Sequence, residues 1–193
     1  GGEFCGNAAR AAAILFAKIR ETSRVSFTMS GYTGTVQASL RKTGAAAYIV
    51  ECIFPGLPTE RRAAVLSDGQ RASIVDLGGI VHVVIEAPFP DDPQTYQAAH
   101  RAIMHELGLN DRAAVGVVWF ERTGEAISMH PVVWVKEVDT FFYEQSCGSG
   151  TIAVSKVTNI HSVIQPTKKT IEAEITADAV ILRSAMEVIR EGR

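Results

Sequence analysis

The spacing of apolar residues predicts a chain with many strands and few helices. Alternation of apolar and polar positions predicts strands at 24–29, 35–40, 46–54, 73–77, 81–87, 115–121, 128–137, 170–175 and 180–182. Helices are predicted at 7–20, 94–107 and 151–158, and the first and last of these are almost wholly apolar. Such helices belong in a core, so the pattern predicts an α+β fold in which antiparallel sheet wraps around buried helix.

A segment rich in proline and glycine divides this pattern. Pro55-Gly56-Leu57-Pro58 stands between the third and fourth predicted strands and predicts a boundary there. We therefore expect an N-terminal lobe over residues 1–56 and a C-terminal lobe over residues 57–183. Residues 184–193 are expected to return to the first lobe and supply its last strand.

Composition narrows the classes of function. The chain has 193 residues, a formal net charge of −2 and 47% hydrophobic residues, which argues against a nucleic-acid or membrane surface. No apolar run is long enough to span a bilayer, and no signal peptide is visible. Three cysteines are too few for a disulfide framework. They suit a reducing compartment, and we expect a cytoplasmic protein.

Two short stretches share one pattern, a cysteine followed by glycine and a small polar residue at the start of a predicted helix. They are Cys5-Gly6-Asn7 and Cys147-Gly148-Ser149. Free N–H groups and the positive end of the macrodipole meet at a helix N-terminus. That field favours a thiolate, and the same N–H groups can hold a carboxylate. Two such sites predict two thiols that face one carboxylate-bearing substrate.

Plainer interpretations compete with this one. A free cysteine is more often a small buried hydrophobe, and Cys52, within an apolar strand, is assigned that role. A disulfide between Cys5 and Cys147 is conceivable, whereas a zinc site is disfavoured because neither cysteine has a second ligand at the usual short spacing. Ordinary helix capping is the alternative for Asn7 and Ser149.

The two stretches also resemble a known family. Cys5-Gly6-Asn7-Ala8-Ala9-Arg10 and Cys147-Gly148-Ser149-Gly150 are similar to the paired cysteine motifs of the diaminopimelate epimerase fold, whose members are amino-acid racemases and epimerases without a cofactor. The resemblance implies two pseudo-symmetric lobes, each an antiparallel sheet around a central helix and each carrying one cysteine. It also implies an amino-acid substrate, no metal and no cofactor. Family members carry several strands before the first cysteine, so we expect that this chain lacks them.

Inverting an α-carbon without a cofactor requires a base on one face and an acid on the other. A thiol suits both roles because its pKa can be tuned towards neutrality. The catalytic pair is therefore predicted to be Cys5 and Cys147. The predicted donors to the substrate carboxylate are the backbone N–H groups of Gly6, Asn7, Gly148 and Ser149, in the manner of an oxyanion hole.

Two further catalytic residues follow from the resemblance. His82 lies in Gly79-Ile80-Val81-His82, which is similar to a Gly-Asn-Pro-His segment whose histidine sits near a catalytic cysteine; the alternative is a histidine of the core. Glu137 ends a predicted strand where the family has a Glu-Arg pair. Glu144, three positions before Cys147, is the rival carboxylate.

Departures from the family pattern indicate the substrate. Val138, Ile80 and Ala114 stand where diaminopimelate epimerases carry an arginine and two asparagines that grip the distal head of the substrate. A distal zwitterion left unpaired there would be costly. The resemblance thus points to the histidine racemase branch, which supplies D-histidine for metallophores. Three alternatives remain. The protein could be a diaminopimelate epimerase, or an isomerase that uses a carboxylate base, or a binding module that holds an amino acid without catalysis. We further expect a homodimer.

Overall fold

The computed structural model describes residues 2–189. Within them lie three α-helices, which are α1 (Gly6–Ile19), α2 (Pro93–Glu106) and α3 (Gly148–Thr158). The strands of this part of the chain are β1 (Arg24–Met29), β2 (Tyr32–Lys42), β3 (Ala47–Pro55), β4 (Glu60–Val65), β5 (Arg71–Asp76), β6 (Val81–Glu86), β7 (Ala114–Thr123), β8 (Ala126–Val135), β9 (Thr140–Tyr143), β10 (Ser162–Ile164), β11 (Thr170–Ile175) and β12 (Ala179–Glu187). A short 3-10 helix, Lys136–Val138, joins β8 to β9. The predicted α+β class is confirmed.

The described strands form one continuous sheet. Its order is β1-β2-β3-β12-β11-β10-β8-β7-β6-β5-β4, and β9 pairs with β8 beside this path. Most pairs are antiparallel, as predicted, but β6 with β7 and β10 with β8 are parallel. Each parallel pair is joined by a connection that contains a helix, α2 in one case and α3 in the other. A parallel pair needs such a crossover, which a tight turn cannot provide.

The larger core lies between the sheet and the two apolar helices. α1 packs on β1, β2 and β3, whereas α3 packs on β5, β6, β7, β10, β11 and β12. Side chains from both regions belong to one apolar cluster, which includes Ala13, Phe54, Ile152 and Leu182. The boundary predicted near residue 56 stays a prediction, and the apolar cluster extends across it. The boundary marks the place where the chain leaves β3, in the middle of the sheet, for β4 at the far edge.

β12 joins the two regions of the sheet. It pairs with β3 along residues 179–187 and with β11 along residues 180–184. The strand predicted to return over 184–193 therefore begins at Ala179, and residues 190–193 of that prediction lie outside the described range. Because β12 alternates buried and exposed side chains, its inward residues reach the shared core.

A second core lies on the opposite face of the sheet under α2. Val81, Val83 and Ile85 point to this side, as do residues of β7 and β8, and Tyr96, Ile103 and Met104 of α2 cover them. The central strands β6 and β7 are thus buried on both faces. This explains their nearly continuous apolar sequences.

Within residues 2–189, the helices differ in how much of their surface is buried. α3 is buried along most of its length, whereas α1 leaves Leu15 and Ile19 57% and 68% exposed. The prediction that α1 lies wholly inside a core is wrong for that face within residues 2–189. In that same range, no helix combines the length and the apolar character that crossing a bilayer requires.

Candidate active site

The segment before α1 is held by two close backbone contacts. A Cβ on Gly31 would lie 2.1 Å from the backbone nitrogen of Phe4, and one on Gly79 would lie 2.7 Å from the same atom. Only glycine allows such an approach. Phe4 is buried against Tyr32 and Phe54, with ring centroids 6.5 and 5.2 Å away. The next residue, Cys5, therefore starts from a fixed position.

Cys5 is the N-cap of α1, as predicted. Its backbone is extended (φ −130°, ψ 101°), and its Sγ accepts a hydrogen bond from the N–H of Ala8 at 3.4 Å. The thiol thus takes the place that a serine or aspartate oxygen usually occupies at this position. Cys5 is half-buried.

Cys147 is the N-cap of α3 in the same geometry. Its φ and ψ are −138° and 107°, and its Sγ accepts a hydrogen bond from the N–H of Gly150 at 3.2 Å. Cys147 is only 1% exposed, and its backbone N–H donates to Oε1 of Gln165 at 2.9 Å. The hydroxyl of Ser149 lies 3.5 Å from the sulfur. Unlike Cys5, this thiol is fully enclosed.

The two helix N-termini touch each other. A Cβ on Gly148 would lie 3.1 Å from Cα of Gly6, so the absence of side chains allows the two backbones to meet. Oδ1 of Asn7 accepts the N–H of Gly148 at 3.2 Å, and Nδ2 of Asn7 donates to the carbonyl of Ser146. Residues 142 positions apart in the sequence are thus joined at one point, which supports the predicted convergence of the two motifs.

The predicted carboxylate donors differ in availability. The first-turn N–H groups of a helix have no acceptor inside it, and this leaves those of Gly6, Asn7 and Ser149 free of intrahelical bonds. The N–H of Gly148 already donates to Asn7. In this structure a side chain of the other helix occupies that N–H, and the role of Gly148 as a donor to a substrate stays a prediction.

Glu144, rather than Glu137, lies beside a cysteine. β9 ends at Tyr143, and the N–H of Glu144 donates to the carbonyl of Pro131 at 3.0 Å. The carboxyl group of Glu144 interacts with the Cys147 thiol, and this interaction adds to the effect of burial in raising the pKa of the thiol. Glu137 is exposed in the 3-10 helix on the far side of β9. The strand Thr140–Tyr143, which the sequence pattern did not reveal, separates the two carboxylates.

Burial dominates the protonation of this pair. It raises the pKa of the Cys147 thiol well above its ordinary value, and the neighbouring Glu144 raises it further, while Ser149 and the N–H of Gly150 act in the opposite direction. Burial also raises the pKa of Glu144, and the hydrogen bond with Cys147 opposes that shift. The buried cysteine is therefore a protonated thiol near neutral pH.

His82 is placed in the core. It is fully buried on β6, and a Cβ on the paired residue Gly116 would lie 2.1 Å from its Nδ1, so the ring covers that glycine. Burial lowers the pKa of His82 to about 3. Within the described residues neither ring nitrogen has a hydrogen-bond partner, so no hydrogen bond connects His82 to a cysteine.

The remaining cysteine and the predicted substrate positions are also located. Cys52 is buried, as predicted, and burial raises its pKa to about 12. Ile80 and Ala114 are 4% and 1% exposed within the main core, whereas Val138 is exposed. Across residues 2–189, no group of three or more histidine, cysteine or acidic side chains could hold a metal ion.

Two residues at this site were not identified from the sequence. Gln165 contacts Cys147 from 18 positions away, and nothing in the sequence marks it. Arg10 is buried and hydrogen-bonds Asn7. Its position three residues after Asn7 on a predicted helix places both on one face, and this spacing was the available signal.

Known proteins of similar sequence include two histidine racemases. The chain is 28% identical over 204 aligned residues to a histidine racemase of Fusobacterium nucleatum subsp. nucleatum strain ATCC 23726, and the match covers all of this chain and 75% of that protein. A histidine racemase from a second strain, ATCC 25586, is also 28% identical over the same coverage.

A solved structure supports the fold. A Bacillus anthracis phenazine biosynthesis protein of the PhzF family superimposes with a TM-score of 0.54 and 11% identity, covering 96% of this chain and 74% of that one. The model of the histidine racemase CntK N-terminal domain matches residues 1–179. The predicted kinship with amino-acid racemases and epimerases is thereby confirmed, and the chain belongs to the histidine racemase CntK N-terminal domain family.

Proposed function

We propose that this protein is a histidine racemase that inverts the α-carbon with Cys5 and Cys147 as its acid/base pair. One observation carries the proposal. The two cysteines cap two helices whose first residues, Gly6 and Gly148, are in contact. Two thiols at converging helix N-termini suit a small substrate that carries a carboxylate and must be reached from both faces.

In the proposed reaction, the thiolate of Cys5 removes the α-proton and becomes a thiol. The electron pair left on the α-carbon spreads into the carboxylate. Cys147 then donates its proton to the opposite face and becomes a thiolate, so that protons and charge balance. The reverse reaction exchanges the two roles. The raised pKa of Cys147 supports its assignment as the protonated member of the pair at the start of this cycle.

The carboxylate of the substrate is proposed to bind the free first-turn N–H groups of Gly6, Asn7 and Ser149. These donors and the two helix dipoles would stabilise the negative charge that develops on the carboxylate during proton removal. The bond between Asn7 and Gly148 would hold the donors of the two helices in one group. Gly148 itself is left out of the proposed set.

Glu144 is proposed as the carboxylate of the site in place of Glu137. Its interaction with the Cys147 thiol and its partial burial support this choice. The carboxylate would orient the thiol and stabilise its protonated form between turnovers. His82, also predicted as catalytic, is proposed to act only through the packing of β6 against α3, since it has no hydrogen-bonded neighbour within the described residues.

Histidine is the proposed substrate because two kinds of observation favour it. The curated relatives are histidine racemases. The apolar, buried Ile80 and Ala114 supply no polar side chains for the second head group of diaminopimelate. The family resemblance extends the proposal to D-histidine made for metallophore biosynthesis. The free cysteines support a reducing compartment such as the cytoplasm.

The proposal keeps the two-lobe division, with α1 and β1–β3 as one half and α3 with its strands as the other. Each half would contribute one cysteine, and closure of the halves on substrate would exclude water from the carbanion. The contact between Gly6 and Gly148 supports a closed arrangement in this structure.

One experiment tests the proposal directly. The protein is incubated in deuterium oxide with L-histidine, and separately with LL-diaminopimelate. The products are separated by chiral chromatography, and mass spectrometry measures their deuterium content. We expect D-histidine with deuterium at the α-carbon. Cys5→Ala and Cys147→Ala should each abolish its formation, whereas Cys52→Ala should retain it. Conversion of diaminopimelate alone would contradict the substrate, and full activity of either site variant would contradict the mechanism.

A further inference from the structure

A buried arginine stands behind the two helix N-termini. Arg10 is only 2% exposed, and its three donor groups each have a partner. Nε donates to the carbonyl of Gly6 at 3.2 Å, Nη1 donates to the hydroxyl of Ser184 on β12, and Nη2 donates to Oδ1 of Asn7. The side chain therefore ties the first turn of α1 to the strand that joins the two regions of the sheet.

The same network reaches α3 through Asn7. Its Oδ1 accepts from both Arg10 and the N–H of Gly148, while its Nδ2 donates to the carbonyl of Ser146. An amide oxygen with two lone pairs can accept two such bonds. Without the guanidinium, the amide would lose one of its three hydrogen bonds. Arg10 thus helps to orient Asn7, an α1 residue whose side chain is hydrogen-bonded to the start of α3.

Within residues 2–189, none of the hydrogen bonds of the Arg10 guanidinium goes to a carboxylate. The anionic forms of the Cys52, Cys147 and Cys5 thiols would raise the pKa of Arg10. Burial lowers the pKa of Arg10, but an arginine remains protonated in proteins. A buried cation is normally paired with an anion because its desolvation is costly. Here the groups that can become anionic are the thiols.

We propose that Arg10 is a positioning residue, which fastens the N-termini of α1 and α3 together through Asn7 and places a buried positive charge behind both cysteines. This inference rests on the proposed function, since it assigns to Arg10 the support of the same thiol pair. It makes two separable claims. One concerns geometry, carried by the hydrogen bonds, and the other concerns charge, carried by the guanidinium.

Three variants separate these claims. Arg10→Met removes both the charge and the hydrogen bonds. Arg10→Lys keeps the charge but cannot donate in a fixed fork to three acceptors. Asn7→Ala keeps the guanidinium and removes the connection to Gly148. Arg183→Met is the matched control. Arg183 lies next to Ser184 on β12 but is exposed and forms an ion pair with Glu51.

Two measurements distinguish the effects of these variants on charge and on geometry. The first is the rate at which iodoacetamide alkylates Cys5 at pH 7, resolved by peptide mass spectrometry, which requires no turnover. The second is kcat and KM for histidine. We expect Arg10→Met to slow alkylation about tenfold, because it removes a neighbouring cation that favours the more reactive thiolate. Arg10→Lys and Asn7→Ala should alkylate within about twofold of the parent.

Turnover should respond differently. Arg10→Lys and Asn7→Ala are expected to lower kcat about 100-fold with a smaller change in KM, because displaced catalytic groups lose rate more than binding. Should Arg10→Met not fold, the other two variants carry the test through kcat. Parental kcat in both, or parental alkylation in a folded Arg10→Met, would overturn the inference. A parent protein that never exchanges the α-proton would instead refute the proposed function, while the alkylation result would still decide the claim about charge.

Discussion

The two half-sites, one around Cys5 and the other around Cys147, have nearly the same backbone conformation but very different surroundings. Cys5 and Cys147 both cap a helix in an extended conformation, with φ and ψ that agree within about ten degrees, and each sulfur accepts an N–H from three residues on. Cys5 is nevertheless half-buried beside a helix with an exposed apolar face, whereas Cys147 is enclosed. The same local pattern therefore produces two different thiols.

The difference shows which part of the site each level of structure controls. The cap geometry is local, because it depends on a cysteine, a glycine and a helix that starts there. The protonation of the thiol depends on what the rest of the chain places around it. Glu144, directly after β9, and Gln165, directly after β10, approach Cys147. Cys5 has no carboxylate bonded to it among the described contacts.

The largest effect is expected at the carboxylate that distinguishes the two half-sites. Glu144→Gln should lower kcat about 1000-fold, within the range that proton transfer by a placed side chain contributes, because Cys147 would lose the group that orients it. Glu137→Gln, made in parallel, should change kcat far less. The variants are compared by the rate of D-histidine formation. A larger loss in Glu137→Gln would restore the carboxylate predicted from the sequence.

The next effect concerns accessibility of the thiols. In the protein without substrate, iodoacetamide should alkylate Cys5 on the order of 100-fold faster than Cys147, because attack on an enclosed sulfur needs a local opening that costs about 2.7 kcal/mol. Site-resolved mass spectrometry measures both rates in one sample. Cys52, which is buried in the core, serves as an internal reference for a protected thiol. Equal rates at Cys5 and Cys147 would contradict the asymmetry.

A smaller effect is expected where the half-sites meet. Gly148→Ala places a Cβ 3.1 Å from Cα of Gly6 and 3.2 Å from Cδ1 of Leu182, so the helix ends must separate by a few tenths of an ångström. We expect kcat to fall about tenfold and the free energy of unfolding to fall by about 1 to 3 kcal/mol. Gly2→Ala, whose Cβ would meet nothing within 4 Å, is the control. An unchanged kcat would show that the contact does not set the thiol positions.

The buried histidine of β6 should affect the free energy of unfolding rather than turnover. The pKa of buried His82 is lowered from 6.5 to about 3, so the unfolded chain binds a proton below about pH 6.5 that the folded protein binds only near pH 3. The free energy of unfolding should therefore fall with decreasing pH in that window, by at most about 1.4 kcal/mol per pH unit from this group.

His82→Leu should make that dependence shallower, because it removes one such group. His105→Gln, at a histidine that is exposed at the end of α2, is the matched control for loss of a histidine outside the core. Urea unfolding monitored by fluorescence between pH 7 and pH 4 measures both variants. An identical slope in His82→Leu and the parent would mean that water reaches His82.

Much of the fold was predictable from local pattern. The strands over Arg24–Met29 and Thr170–Ile175 have the predicted bounds, and all three α-helices lie within a few residues of prediction, because alternation and apolar periodicity report one-sided burial. β4 was missed since its residues are mostly exposed at the sheet edge, and β9 and β10 are only four and three residues long.

The sequence by itself determined the two cysteine caps and, through their spacing and resemblance, the family. Both depend on a few adjacent residues, and local backbone geometry follows from them. Only the tertiary structure decided that Glu144 rather than Glu137 reaches Cys147, that Asn7 occupies the N–H of Gly148, and that Arg10 lies behind both. These contacts join residues from distant parts of the chain. Their formation depends on strand pairing and helix packing, which local sequence pattern does not encode.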